Sequence, residues 1–155
     1  FELLTNGSFE SGGISPWVES SNHAKTLLST VRPRESDYSA FLGDANRADD
    51  QLYQEIILPI DATSLTLTYW YTSEASTSPG NDAMSITLRS GKGERLRTLN
   101  TIDAETNLEW QQATHDLMDY KVDEAYSNFS FNKLLSTSTS LQRILPLPCG
   151  CQGIL

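Results

Sequence analysis

Apolar and polar residues alternate with period two in three long stretches of the chain. The clearest is Ser64–Ser73, where Leu65, Leu67, Tyr69 and Tyr71 share one phase and Thr66, Thr68, Trp70 and Thr72 the other. Such alternation marks a strand with one face buried. Threonine and aromatic residues suit a pleated surface, and neither Gly nor Pro interrupts the run. Gln51–Leu58 repeats the pattern, with Leu52, Gln54, Ile56 and Leu58 in one phase and Tyr53, Glu55 and Ile57 in the other, and Pro59 ends it. Asp82–Ser90 sets Met84, Ile86 and Leu88 against Ser85, Thr87 and Arg89. The apolar phases of these three runs predict the core.

Shorter stretches fill the spaces between. Tyr38–Gly43, Arg95–Asn100, Trp110–Leu117 and Tyr126–Phe131 read as strands, and Thr26–Ser29 as a brief one. Phe9 and Glu10 are expected to resume an extended segment after the Asn6-Gly7 turn. Ser11-Gly12-Gly13, Pro79-Gly80 and Gly91-Lys92-Gly93 are turn signals, the last of hairpin type. Only Met118–Ala125 leaves room for a helical turn, and no stretch carries the 3.6 period of a long helix. Many short strands separated by Gly and Pro turns predict an all-β two-sheet antiparallel sandwich.

Composition narrows what such a sandwich could do. At 155 residues the chain suits one domain. Its net charge of −9 argues against a nucleic-acid partner and against an anionic membrane surface. No stretch is long and apolar enough for membrane insertion. Cys149 and Cys151, with one Gly between them, are too close for an unstrained bridge and have no further ligand for a metal framework. His23 and His115 are the only histidines, and no nucleophile-elbow pattern occurs, so the chain is not expected to be an enzyme. The acidic run Asp44–Asp50 lacks the glycine and closing glutamate of a helix-loop-helix calcium site and reads as a solvated loop.

The outward phases carry the candidate chemistry. Trp70, Tyr53, Glu55 and Arg89 all point away from the expected core. An aromatic ring can stack on the CH face of a pyranose, while carboxylate and guanidinium groups bond its hydroxyls. If their strands are neighbours, the four residues would share one concave surface. An outward Trp70 also fits a plainer role, packed under a loop.

The order of segments then points to a family. Asn6–Glu10 (NGSFE) is followed by Pro16-Trp17, YSAFLG, LYQEIILP, SLTLTYWY, DAMSITL, EWQQATHDL and YSNFSF. Over roughly residues 3–131 this resembles the galactose-binding-like jelly rolls, which include carbohydrate-binding modules of secreted bacterial hydrolases and surface proteins. The resemblance implies a non-catalytic jelly-roll sandwich, extracellular or at the cell surface, whose partner is a polysaccharide or other glycan. The alternative it leaves open is a structural or adhesive module of the same fold that assembles with proteins and has no sugar site. It also implies a structural calcium held by the Glu10 carboxylate with backbone carbonyls near Ser8 and in the Glu35–Asp37 loop. A late Asp completes that site in the family, and here no Asp follows Asp123. The body is therefore expected to span 1–132, with 133–155 an atypical tail. Either Thr139–Leu145 supplies the family's closing strand, or the open edge invites self-association through a neighbour's strand.

Overall fold

The structure is a computed structural model. It describes residues 2–35, 37–45, 47–59, 61–74, 83–103 and 106–120, together with the backbone of Ser127–Lys133 and Leu141–Pro146. Among the described residues ten strands run in chain order: β1 Val18–Ser21, β2 Leu28–Ser29, β3 Ser39–Leu42, β4 Asp50–Ile56, β5 Thr66–Glu74, β6 Ala83–Ser90, β7 Arg95–Asp103, β8 Asn107–Asp116, β9 Ser127–Lys133 and β10 Leu141–Pro146. A 3₁₀ turn, Met118–Tyr120, follows β8.

The strands form two five-stranded sheets. Sheet I has the order β1-β4-β9-β6-β7 and sheet II the order β2-β3-β10-β5-β8. All pairings are antiparallel. One hydrophobic core lies between the sheets, drawing Leu52, Ile56, Met84, Ile86 and Leu88 from sheet I and Leu42, Leu67 and Tyr69 from sheet II. The chain is thus an all-β jelly-roll sandwich.

The alternation explains this arrangement directly. Leu65, Leu67, Tyr69, Met84, Ile86 and Leu88 are each 0% exposed. A one-residue slip in either central strand would turn its apolar set to solvent, so the pattern fixes the register. Full burial of each such side chain contributes about 1.5–3 kcal/mol.

Several local features differ from the reading of the sequence. Phe9 is not extended. Its φ of 65° turns the chain, and its ring is buried against Trp17 with centroids 5.5 Å apart. Val18–Ser21 forms β1 although the segment is short and polar. Its backbone pairs residue for residue with Asp50–Tyr53, a partner some thirty residues away that no local pattern reveals. β7 runs on to Asp103 because it keeps pairing with β6 past Asn100, with bulges at Ile86/Thr87 and Leu88/Arg89. The tail, in contrast, agrees with one of the two readings: β10, within the stretch from Thr139 on, enters sheet II between β3 and β5, pairing Gln142–Ile144 with Ala40–Leu42 and Leu141–Pro146 with Tyr69–Glu74. Cys149 and Cys151 lie outside the described residues.

Candidate functional site

The site begins with a polar residue in an apolar phase. Gln54 lies between Leu52 and Ile56 on β4 and is buried with them. Its amide is satisfied by the backbone of the N-terminal segment: Oε1 accepts from Thr5 N at 2.7 Å, and Nε2 donates to Thr5 O at 2.8 Å. A buried amide left unpaired is costly, so this double bond fixes the segment beside β4.

Asn6 continues the anchoring. It adopts the left-handed region, φ 54°, which Asn tolerates better than most residues. Its Nδ2 donates to Gly13 O at 2.9 Å and to Ser15 O at 3.1 Å, while Oδ1 accepts from Ser11 N at 3.1 Å. The Trp17 indole donates to Asn6 O at 2.9 Å. The NGSFE and Pro-Trp segments are therefore one knot, with Asn6 at its centre.

Between this knot and the outer face of sheet I lies a cleft of about 390 Å³, lined by Leu3, Thr5, Pro16, Val18, Tyr53, Gln54 and Glu55. That volume is in the range of small-molecule sites. Val18 and Tyr53 are cross-strand partners on β1 and β4. The ring of Tyr53 is half-buried, and Glu55, one outward position further on, is exposed. The cleft thus offers an aromatic ring, an apolar wall and a carboxylate at one end.

Of the four outward candidates, the structure brings together Tyr53 and Glu55. Arg89 shares their sheet, because Glu55 and Arg89 both pair with Asn128 of the intervening β9. Two strand spacings, roughly 10 Å, separate their backbones. The Arg89 guanidinium donates to Gly93 O at 2.9 Å and so braces the β6–β7 turn. Trp70 does not share that surface. It lies on β5, in the opposite sheet, so a single surface of all four residues is ruled out by the strand order. On sheet II the Arg34 guanidinium covers Trp70, its Cζ 3.9 Å from the ring centroid.

The resemblance implies calcium ligands at Glu10 and in the backbone near Ser8 and Asp37. Glu10 Oε1 accepts from Asp37 N at 3.1 Å and from Tyr38 N at 2.8 Å. The side chains of Ser8 and Asp37 are exposed. Among the described residues no three His, Cys, Asp or Glu side chains gather as a metal site. These two amides make the Glu10 carboxylate a cap on the Asp37–Tyr38 turn. The acidic run is not wholly solvated either. Asp50 is fully buried and accepts from Gly43 N at 2.7 Å, and Asp44 pairs with Lys25 at 3.0 Å.

The second polar cluster lies at the edge where β7 and β8 close the sandwich. The hydroxyl of buried Tyr69 accepts from Asn100 Nδ2 at 2.9 Å and lies 3.2 Å from His115 Nε2. The Tyr69 and His115 rings stack, 18° apart in plane. Burial pushes the Tyr69 phenol up to about 12, partly offset by the Asn100 bond. Burial, with Arg97 nearby, lowers His115 below its ordinary value. His115 thus braces Tyr69 within sheet II, and the Asn100 bond carries that contact across to β7 of sheet I.

Leu3, Thr5, Pro16 and Val18 carry no chemical signature, and sequence reading did not find them. The one available signal was Gln54, a polar residue in an otherwise apolar phase. Such a residue implies a buried partner arriving from elsewhere in the chain.

Known proteins place this architecture. No protein-family model and no curated protein matches the chain. Solved structures do. TmCBM61 in complex with β-1,4-galactotriose is similar with a TM-score of 0.69 at 16% identity, over 96% of this chain and 99% of that one. The K1 cleaved adhesin domain of Lys-gingipain from Porphyromonas gingivalis W83 gives a TM-score of 0.61 at 12% identity, over 88% and 91%. A xylan-binding domain from CBM 22 gives 0.54 at 10% identity, over 94% and 93%. The chain accordingly has the jelly-roll fold of the carbohydrate-binding modules, a fold that adhesin domains share.

Proposed function

We propose that the chain is a non-catalytic, extracellular carbohydrate-binding module that holds a glycan in the cleft against Tyr53. The observation that carries this reading is the cleft itself. It places an aromatic ring, an apolar wall of Leu3, Pro16 and Val18, and the Glu55 carboxylate together, and Gln54 holds its wall in place. A pyranose presents an apolar CH face to a ring and a rim of hydroxyls to a carboxylate, which is the same division of surfaces. A net charge of −9 disfavours polyanionic polymers, so the ligand class is a neutral glycan. The likeness to TmCBM61 with its galactotriose and to the xylan-binding domain supports this choice. Electrophoresis through gels containing galactan or xylan tests it. Retardation by at least one neutral polysaccharide is the expected outcome, and unaltered mobility across a panel of them would count against the reading.

The adhesin likeness favours a second reading, a surface module that assembles with proteins through the same fold. Concentration-dependent self-association without any glycan response would select it.

A further inference from the structure

Basic charge gathers on one hairpin of an acidic chain. From Arg89 to Arg97, the residues Arg89, Lys92, Arg95 and Arg97 stand against Glu94 alone, while the whole chain carries −9. Arg89 and Arg95 are direct cross-strand partners. Like charges set opposite each other destabilise a sheet. Among the described residues, none of the three arginines pairs with a carboxylate.

Two β-bulges set the direction of Arg97. They fall at Ile86/Thr87 and Leu88/Arg89. Asn100 thereby pairs with Ile86 and Arg97 with Leu88, both core residues. A bulge re-aims side chains in this way. β7 therefore turns an amide and a guanidinium toward the gap between the sheets. β8 does the same from the other layer, since His115 pairs with buried Leu67. β7 and β8 are the last strands of their sheets, so this gap is a side mouth of the sandwich.

The donors at the mouth are under-used. Arg97 is exposed and spends one of its five N–H groups on the Tyr120 hydroxyl, at 2.7 Å. Half-buried His115 meets the Tyr69 hydroxyl through Nε2, which leaves Nδ1 without a described partner. Asn100 spends its Nδ2 on the same hydroxyl and keeps its Oδ1. Burial, and then the charge of Arg97, holds the imidazole below its ordinary value, so the two bases are neighbours. Asp119 of the 3₁₀ turn lies near Arg97 without pairing with it. Two bases thus face one gap with no anion between them.

We propose that the side mouth between β7 and β8 is a carboxylate site, with Arg97 and His115 as its bases and Asn100 as a further polar contact. A guanidinium takes a carboxylate through paired N–H bonds, and a protonated imidazole adds a second charge-assisted bond. The bound anion would offset the repulsion between the two bases. One carboxylate suits the chain better than a polyanion, because the basic patch is confined to a single hairpin and the rest of the surface is acidic. The site itself is independent of the Tyr53 cleft. The choice of a sugar acid, a hexuronate, as the source of the carboxylate rests on the carbohydrate reading of the chain.

The test titrates D-glucuronate, acetate and glucose into the full chain and follows the His115 ring resonances. Both acids should shift them and glucose should not. Glucuronate should bind the tighter, because its hydroxyls can reach the Asn100 amide oxygen. Arg97→Gln should weaken it about ten-fold or more, the scale of a hydrogen bond to a charged group. Arg97→Lys should fall between that variant and the wild type, which lost packing alone would not produce. Affinity should also rise as pH falls, because the anion favours the protonated ring. Around that ring stand Tyr69 of β5 and Arg97 of β7, with Asp116 beside it on β8 and Asp119 and Tyr120 beyond Arg97. Histidine is the side chain whose charge changes between about pH 5 and 8, so His115→Gln should flatten the slope. Equal response to glucuronate and glucose, or glucuronate affinity untouched by Arg97→Gln, would overturn the site. Equal affinity for acetate and glucuronate would support the carboxylate site and overturn the sugar acid as its ligand. Tyr53→Ala should leave glucuronate binding in place, so failure of the cleft and failure of this site are separate results.

Discussion

The two outer faces of the sandwich treat an outward aromatic in opposite ways. On sheet I, Tyr53 lies next to the β1 edge, and the N-terminal knot stands beside it as a wall, leaving a cleft. On sheet II, Trp70 lies on β5, flanked on both sides by β10 and β8, and Arg34 closes over it. Both rings occupy the same phase relative to the core. What separates them is a partner far away in sequence. Gln54 holds Thr5 across 49 residues to make the wall, and Arg34 reaches a strand more than thirty residues on to make the cover. An aromatic platform is thus built less by its own strand than by whichever loop is tied down beside it.

Perturbations that affect one face, both or neither sharpen this contrast. The largest effect belongs to the core beneath both. Leu67→Ala should cost on the order of 2–5 kcal/mol and weaken both faces together, read as a lower urea midpoint. An unchanged midpoint would mean that β5 presents its other phase to the core.

Gln54→Ala should act on sheet I alone. It leaves the Thr5 amide and carbonyl without their side-chain partner and should cost on the order of 1–3 kcal/mol. Glycan affinity in the cleft should fall, while the indole resonance of Trp70 stays in place. A variant with unaltered glycan affinity would show that the wall stands without Gln54.

Glu10→Ala is the matching change on sheet II. Freeing the Asp37 and Tyr38 amides should lower stability by about 1–2 kcal/mol without altering the cleft. Chelator separates the cap from an ion, because a ligand bound only to the native state would raise the melting temperature by mass action. If Glu10 helps hold calcium, chelation should lower the melting temperature of the wild type and leave that of the variant in place; identical melting with and without chelator would leave the carboxylate a cap alone.

The smallest effect concerns neither face. His115 has its folded-state value below the ordinary 6.5, so the unfolded chain takes up a proton first as pH falls. Its contribution to stability should be complete above about pH 6.5 and be lost as pH falls through the lowered folded value. His115→Gln should flatten the slope of stability against pH in that window. A slope equal to that of the wild type would place the acid sensitivity elsewhere.

The sequence made some of this legible and hid the rest for physical reasons. Period-two alternation reports which face a residue takes, because the pleat is local, and so Leu65, Leu67, Tyr69, Met84, Ile86 and Leu88 could be read as core. Which sheet a strand joins is not local. Trp70 and Tyr53 read alike until strand order put them on opposite layers. The β1 segment, VESS, has too little apolar character to announce itself and exists because β4 offers it an edge. Phe9 turns rather than extends because its burial against Trp17 outweighs the cost of a positive φ. Gln54 was the readable clue to the cleft, a polar side chain where the pattern called for an apolar one.

The central claim is that a neutral glycan lies against Tyr53. Calorimetric titration of the wild type and of Tyr53→Ala with β-1,4-galactotriose and with a soluble xylan tests it most directly. Binding by the wild type to one of them, weakened at least ten-fold by Tyr53→Ala at unchanged thermal stability, is the predicted result. Equal affinity in the two proteins would contradict it.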